Sequence, residues 1–271
     1  MSTYMLGKHV KVTERRVNQI LAGYKRTGIL PVLGRNLGRP RKKISADERD
    51  IIMDSQHKYD ACAVYLEGII RNKYDLHINH NRIHRVLLEE GLVNPIGMKI
   101  RKKKWIRYER KHSLSAVHMD WAYDPKIDKQ IIAVIDDASR MILAFGEYES
   151  ASVENTIEVL KRALQLGQIH EVITDHGSQF TANKFDEKGN AHSQFAEFCK
   201  EHGIKQIICR VKHPQSNGKI ERWFGLYRQK RYHYETLEAF VYWYNHIKPH
   251  ASLNFEELET PAQAFRRKFK K

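Results

Sequence analysis

Apolar residues follow two rhythms along this chain. From Tyr4 to about Leu92 they recur three and four residues apart, the spacing of one helix face. Tyr4, Met5, Leu6 and Val10 form a short stripe, and Lys11-Val12 makes a turn. Thr13 then stands as an N-cap, because its hydroxyl can accept from a free N–H of the following helix. That helix runs from Glu14 to about Lys25, with Val17, Ile20 and Leu21 inward and Arg15, Arg16, Asn18 and Gln19 outward. A second helical group starts at Ser45, where Glu48 at N3 completes a capping box. Ala63, Val64, Leu66, Ile69 and Ile70 define its middle helix. Asn79 or Asn81 caps its third, which turns Ile83, Val86 and Leu87 inward and Arg82, His84 and Arg85 outward, and Gly91 stops it.

At Ser115 the texture changes to alternating strands and helices. Ser115–Trp121, Gln130–Ile135 and Met141–Tyr148 read as strands, the last two joined by a tight turn at Asp136-Asp137-Ala138-Ser139. Ser152 caps a helix from Val153 to Leu164, and Glu171–Thr174 is a short buried strand. Phe195–His202 is a helix ended by Gly203, Ile204–Ile208 a fifth strand, and Ser216 opens another helix. Three strands in a meander, then helix-strand-helix-strand-helix, predict a mixed α/β sheet with helices on its faces. The expected domains are a partial helix-turn-helix at 1–33, a basic linker at 34–44 and a second helix-turn-helix, winged-helix-like domain at 45–95. A further basic linker at 96–112 leads to the α/β core at 113–235 and a helical tail at 236–271.

Composition narrows the function. The longest aliphatic run, Ile131-Ile132-Ala133-Val134-Ile135, is far short of the roughly 18 residues of a membrane span. No apolar secretory segment opens the chain. Cys62, Cys199 and Cys209 are too scattered for a disulfide framework, so the expected setting is cytoplasmic. The net charge of +15 is concentrated. Residues 1–111 carry 25 basic and 11 acidic side chains, net +14, whereas residues 112–271 carry 22 and 21, net +1. A polyanion partner accounts for such asymmetry better than solubility does. With it, the helical pairs read as helix-turn-helix units whose second helices present Arg15, Arg16, Asn18 and Gln19, and Arg82 and Arg85, to DNA. The Gly38-Arg39-Pro40-Arg41 strip suits a narrow minor groove through Arg39 and Arg41. Lys102, Lys103 and Lys104, interleaved with Trp105 and Tyr108, suit phosphate contacts. His77, His80 and His84 have no Cys pair at ligand spacing, and a solvated helix face accounts for them without zinc.

Three carboxylates carry the candidate chemistry. Asp120 ends the first strand, Asp175 follows the fourth, and Glu221 lies in the helix after the fifth. In such a sheet these positions can converge. Carboxylates packed within about 4 Å repel by some 4 kcal/mol per pair at an effective dielectric near 20. A shared cation removes that repulsion, and carboxylate-only ligation suits Mg²⁺ or Mn²⁺. A carboxylate at a strand end also serves as a cap or in a surface ion pair, and spacing alone leaves both readings open.

The motifs favour the first. Val117-His118-Met119-Asp120-Trp121 with Ile135-Asp136-Asp137-Ala138-Ser139-Arg140 resembles the first block of the catalytic domain of DDE transposases and retroviral-type integrases. Thr174-Asp175-His176-Gly177-Ser178-Gln179-Phe180 is similar to the second, and His213-Pro214-Gln215-Ser216-Asn217-Gly218-Lys219-Ile220-Glu221-Arg222 to the third. Trp243-Tyr244-Asn245-His246-Ile247-Lys248-Pro249-His250 and Thr260-Pro261-Ala262 resemble the tail of insertion-sequence transposases. The resemblance implies an RNase H-like fold with Asp120, Asp175 and Glu221 as catalytic and metal-binding triad for two Mg²⁺ or Mn²⁺ ions. It implies cutting of transposon-end phosphodiesters and joining of the freed 3′-OH to target DNA. It also implies a prokaryotic, nucleoid-associated protein acting on terminal inverted repeats as a homodimer or larger assembly.

On the helix bearing Glu221, helical spacing puts Asn217 and Arg228 on the same face, with Lys219 and Arg222 flanking, and all four are expected at DNA. Two departures from the family stand out. Forty-five residues separate Asp175 from Glu221, longer than usual, and the excess at 183–192 predicts an extruded loop or hairpin. Only two helices fit before Gly28, one short of the three that usually close such a unit. Two rival readings follow: a truncated or inactive remnant that only binds DNA, and an RNase H-like nuclease without strand transfer.

Overall fold

The computed structural model describes residues 2–30, 43–94, 109–181, 193–209 and 217–269, with the backbone of 184–185 and 191–192. Arg39, Arg41, Lys102, Lys103 and Lys104, and with them most of both basic linkers, lie outside the described residues. The chain divides into two units, Met1–Ile44 and Ser45–Lys271.

In the first unit, α1 (Thr3–His9) and α2 (Glu14–Thr27) form a helical pair. Thr13 caps α2 by accepting from Arg16 N–H at 3.3 Å. Gly28 ends it at φ 67°, where a side chain would be strained. Gly7 is buried because a Cβ there would meet the Val12 carbonyl oxygen at 2.8 Å. Val17 is buried as expected, but Leu21 and the stripe of Tyr4, Met5, Leu6 and Val10 remain exposed.

The second unit opens with three helices, α3 (Ala46–Tyr59), α4 (Ala63–Tyr74) and α5 (His80–Glu89). The Ser45–Glu48 capping box starts α3, and Asn79 caps α5 by accepting from Asn81 N–H. Ile52, Leu66, Ile70, Ile83 and Leu87 are fully buried between them. A mixed sheet follows, built of β1 (Val117–Asp124), β2 (Lys129–Asp136), β3 (Ile142–Tyr148), β4 (Glu171–Thr174) and β7 (Lys205–Ile208). Its order is β3-β2-β1-β4-β7. The first three strands are antiparallel, whereas β4 runs parallel to both β1 and β7. With α6 (Val153–Leu164) and α7 (Gln194–Glu201) connecting strands, this is the RNase H-like arrangement expected. A separate two-stranded ladder, β5 (Lys184–Phe185) with β6 (Ala191–His192), falls in the long interval and makes it a hairpin.

Alternation along the strands explains why both faces of the sheet are covered. Ile132, Val134, Val117 and Met119 turn to α6 and α7, where Val159, Leu160, Phe195 and Phe198 complete one core. Ile131, Ala133 and Ile135 turn to the other face, covered by α8 (Gly218–Lys230) and α9 (Leu237–Tyr242). There Trp223, 1% exposed, packs on Phe224, Tyr227, Phe240 and Tyr244 with ring centroids 5.2 to 6.5 Å apart. A π turn, Trp243–Ile247, continues α9, and α10 (Pro261–Lys268) ends the fold.

The tail also holds the three N-terminal helices of this unit. Trp243 Nε1–H donates to the Tyr59 carbonyl at 2.9 Å, and Asn72 donates to the Glu256 carbonyl at 3.0 Å. Lys230, at the end of α8, pairs with Asp60 at the end of α3. Lys248 is half-buried at this seam, with its ammonium 4.7 Å from the Tyr65 ring centre. Burial lowers its pKa to about 8. A lysine so depressed adds stability as pH rises from about 8 toward 10.5, and that stability is lost as pH falls through 8. Lys248→Met is therefore expected to stabilise the protein at pH 7, on the order of 1–3 kcal/mol after loss of the cation–π contact. Denaturant titrations at pH 7 and 9.5 check this: the gain over wild type should shrink at the higher pH.

Candidate active site

The parallel register brings two of the three carboxylates together. Val117 lies opposite Val172 and His118 opposite Ile173. Asp120 lies two residues past His118 on β1, and Asp175 lies two residues past Ile173, just beyond the end of β4. Asp120 does not end β1, as the sequence suggests; it is the fourth of eight residues. The apolar run simply continues on β2, where Ala133 stands opposite Asp120. Asp175 follows the last residue of β4 and accepts from Gly177 N–H at 2.9 Å, which fixes its carboxylate in a tight turn. Glu221 comes from above, in the first turn of α8, on the face of the sheet to which Asp120 points.

The other two charges act on Asp120. Burial, then the Asp175 charge, and further down the Glu221 charge push the Asp120 carboxyl up to about 7. Hydrogen bonds from Trp121 N–H (2.8 Å) and Asn217 Nδ2 (2.7 Å) oppose that rise. Asn217, the residue before α8, is buried, and its Oδ1 finds no partner among the described residues. Among the described residues no three acidic, His or Cys side chains close on one point as a ready-made metal site. The residues nevertheless fit a hard divalent cation. They offer carboxylate oxygens alone, their mutual repulsion is what a cation would relieve, and Asn217 Oδ1 is an unused acceptor beside them.

The other expected DNA-contacting residues divide. Arg15, Arg16, Asn18 and Gln19 are exposed on α2, and Arg222 and Arg228 are exposed on α8. Arg85 is half-buried. Arg82 and Lys219 are already engaged: Arg82 pairs with Glu48 at 2.8 Å, and the Lys219 ammonium is held by Asp137. Each of these two cations neutralises an acid brought near by tertiary packing.

Sequence reasoning assigned no role to His118 and Asp137. Asp137 is 1% exposed and accepts from His118 Nε2 (2.7 Å), Arg110 N–H (2.6 Å) and Lys219. Burial opposes its charge, yet these donors hold its carboxyl well below the usual range. Burial lowers the His118 pKa in turn. Asp136 beside it accepts from Leu114 N–H and from Ser139 N–H and Oγ–H. Two adjacent acids directly after the apolar run Ile131–Ile135 were the available signal.

Residues 110–214 match the family of the integrase core domain. The ORF3 product of Spiroplasma virus SpV1-C74, named an integrase, is 27% identical over 281 residues, 88% of this chain and 76% of that protein. A 31.7 kDa protein of insertion element IS407 from Burkholderia multivorans is 25% identical, spanning 66% of this chain and 67% of its own. The chain carries an integrase core domain, as DDE transposases and integrases do. Among solved structures, the catalytic core domain of BIV integrase is 17% identical at a TM-score of 0.44, covering 56% of this chain and 94% of that one. The integrase core match spans Asp120 and Asp175, and α8 with Glu221 follows directly.

Proposed function

We propose that this integrase-family protein cuts DNA at the ends of a mobile element and joins the freed 3′-OH to target DNA, with Asp120, Asp175 and Glu221 as its metal-binding, catalytic carboxylates. The observation that carries the reading is the placement of Asp120 and Glu221 on one face of the sheet, with Asp175 just past the neighbouring strand and the Asp120 carboxyl raised in part by the charges of both others. Two Mg²⁺ or Mn²⁺ ions bound there would activate an attacking oxygen and stabilise the leaving one. The chain's own part is to hold the carboxylates in place. Asp175 is fixed by its turn, Asp120 by β1, and Glu221 by the first turn of α8. Asn217 donates to Asp120 and keeps a buried amide oxygen with no partner among the described residues.

DNA is the partner the charge supports. The exposed Arg15, Arg16, Asn18 and Gln19 of α2 are proposed to contact terminal repeats, and Arg222 and Arg228 to contact the strand near the carboxylates. Arg39, Arg41, Lys102, Lys103 and Lys104 are proposed to add phosphate and minor-groove contacts. Joining two ends in concert calls for a homodimer or larger assembly on DNA, at the nucleoid of a prokaryotic cytoplasm. Among the described residues no helix is long and apolar enough to cross a membrane.

A strand-transfer assay with DNA from the gene's flanks tests the proposal, with Asp175→Asn beside wild type. Metal-dependent joining, lost in the variant, is expected. Binding without cutting would favour the DNA-binding remnant, and cutting without joining would favour the nuclease.

A further inference from the structure

Asp137 collects donors from three separate parts of the chain: the Arg110 backbone, His118 on β1 and Lys219 on α8. The Lys219 ammonium also reaches the Asp137 carbonyl oxygen at 3.3 Å, so it grips this corner twice. His118 stands two residues before Asp120, on the same face of β1. Lys219 stands two residues before Glu221 in α8. We propose that Asp137 and Lys219 are positioning residues, a clamp that ties the strand carrying Asp120 to the helix carrying Glu221 and so sets the spacing of the metal-binding carboxylates. This inference rests on the metal-binding reading above.

Helix geometry gives the clamp its leverage. Lys219 and Glu221 are two residues apart, so they leave α8 on nearly opposite sides, about 200° around the axis. The hold on Lys219 therefore fixes the rotation of the helix, and with it where Glu221 points. A turn of about 10° moves a group some 5–6 Å from the axis by roughly 1 Å. Metal–ligand distances tolerate only about 0.2 Å. The direct bond from Asn217 to Asp120 ends on an oxygen of one of the proposed metal-binding carboxylates. The Asp137 clamp uses none of the three carboxylates and persists when they are occupied.

The test is Mn²⁺ titration by calorimetry on the full chain without DNA, with melting curves in EDTA. Lys219→Met and Asp137→Asn are each expected to raise the Mn²⁺ Kd about 10- to 100-fold, the usual cost of losing a group that orients a metal ligand. Lys219→Arg should restore most of the affinity. Since no DNA is present, a phosphate contact by Lys219 cannot produce this result. Leu66→Ala, in the buried core of α3–α5, supplies a destabilised control. An unchanged Kd in Lys219→Met overturns the clamp, as does an equal rise in Leu66→Ala at a matched loss of melting temperature. Equal Mn²⁺ affinity in wild type and Glu221→Gln would instead remove the metal reading itself, and the clamp with it.

Discussion

Glu221→Gln is expected to lower cutting and joining about 10³-fold or more, while binding to element-end DNA stays intact or tightens slightly. The substitution keeps the shape of the side chain and removes one of three charges that converge on the site. Loss of a metal-holding oxygen forfeits several kcal/mol of stabilisation of the developing charge, and each 1.36 kcal/mol is tenfold in rate. DNA binding should survive because the expected contacts, Arg222 and Arg228 among them, are exposed cations elsewhere on α8 and on α2. Removing a negative charge from the path of a phosphate backbone weakens repulsion, which is the reason for slightly tighter binding. Single-turnover cleavage and a gel-shift titration on the same preparation check both halves. Cleavage at the wild-type rate would sink the assignment of Glu221.

The second large effect is on stability in the absence of metal. The Asp120 carboxyl is raised from 3.8 to about 7, so the folded chain holds a proton that the unfolded chain has already released. Its contribution is fully present below about pH 4 and is lost as pH rises to 7 and just beyond. Three pKa units correspond to on the order of 4 kcal/mol. In EDTA, wild type should lose stability across this window relative to Asp120→Asn, whose curve lacks the contribution. Mg²⁺ or Mn²⁺ should reverse the loss at neutral pH, because the cation binds the ionised carboxylate and hence the folded state. Denaturant melts from pH 4.5 to 8 decide the matter: parallel curves for wild type and Asp120→Asn would show that Asp120 ionises normally in the folded chain.

Both expectations depend on residues that were visible in the sequence but whose surroundings were not. The helix caps Thr13, Ser45 with Glu48, and Asn79 act across two or three residues, so spacing alone placed them. The strands were equally plain, since a run such as Ile131–Ile135 feeds both faces of a sheet covered on each side. Strand ends were less plain. Polar residues inside β1 read as its end, whereas Asp120 sits mid-strand, opposite Ala133 of β2. The expected hairpin in the long interval before Glu221 is present as β5 and β6.

Arg82 and Lys219 mark where sequence reasoning stopped. Each lies on a basic helix surface and reads as a phosphate contact. Glu48 is 34 residues from Arg82, and Asp137 is 82 residues from Lys219. Local pattern carries no information about partners so distant in sequence.

The order of helices and strands, the three candidate carboxylates and the concentration of charge toward the N-terminal side were therefore legible in the chain, because they depend on short-range periodicity and residue type. The parallel pairing of β1 with β4, the charges that Asp175 and Glu221 exert on Asp120, and the Asp137 corner that joins β1 to α8 arose only on folding. Each depends on which strands lie side by side and which helix covers them, and those choices follow from burying two faces of one sheet at once.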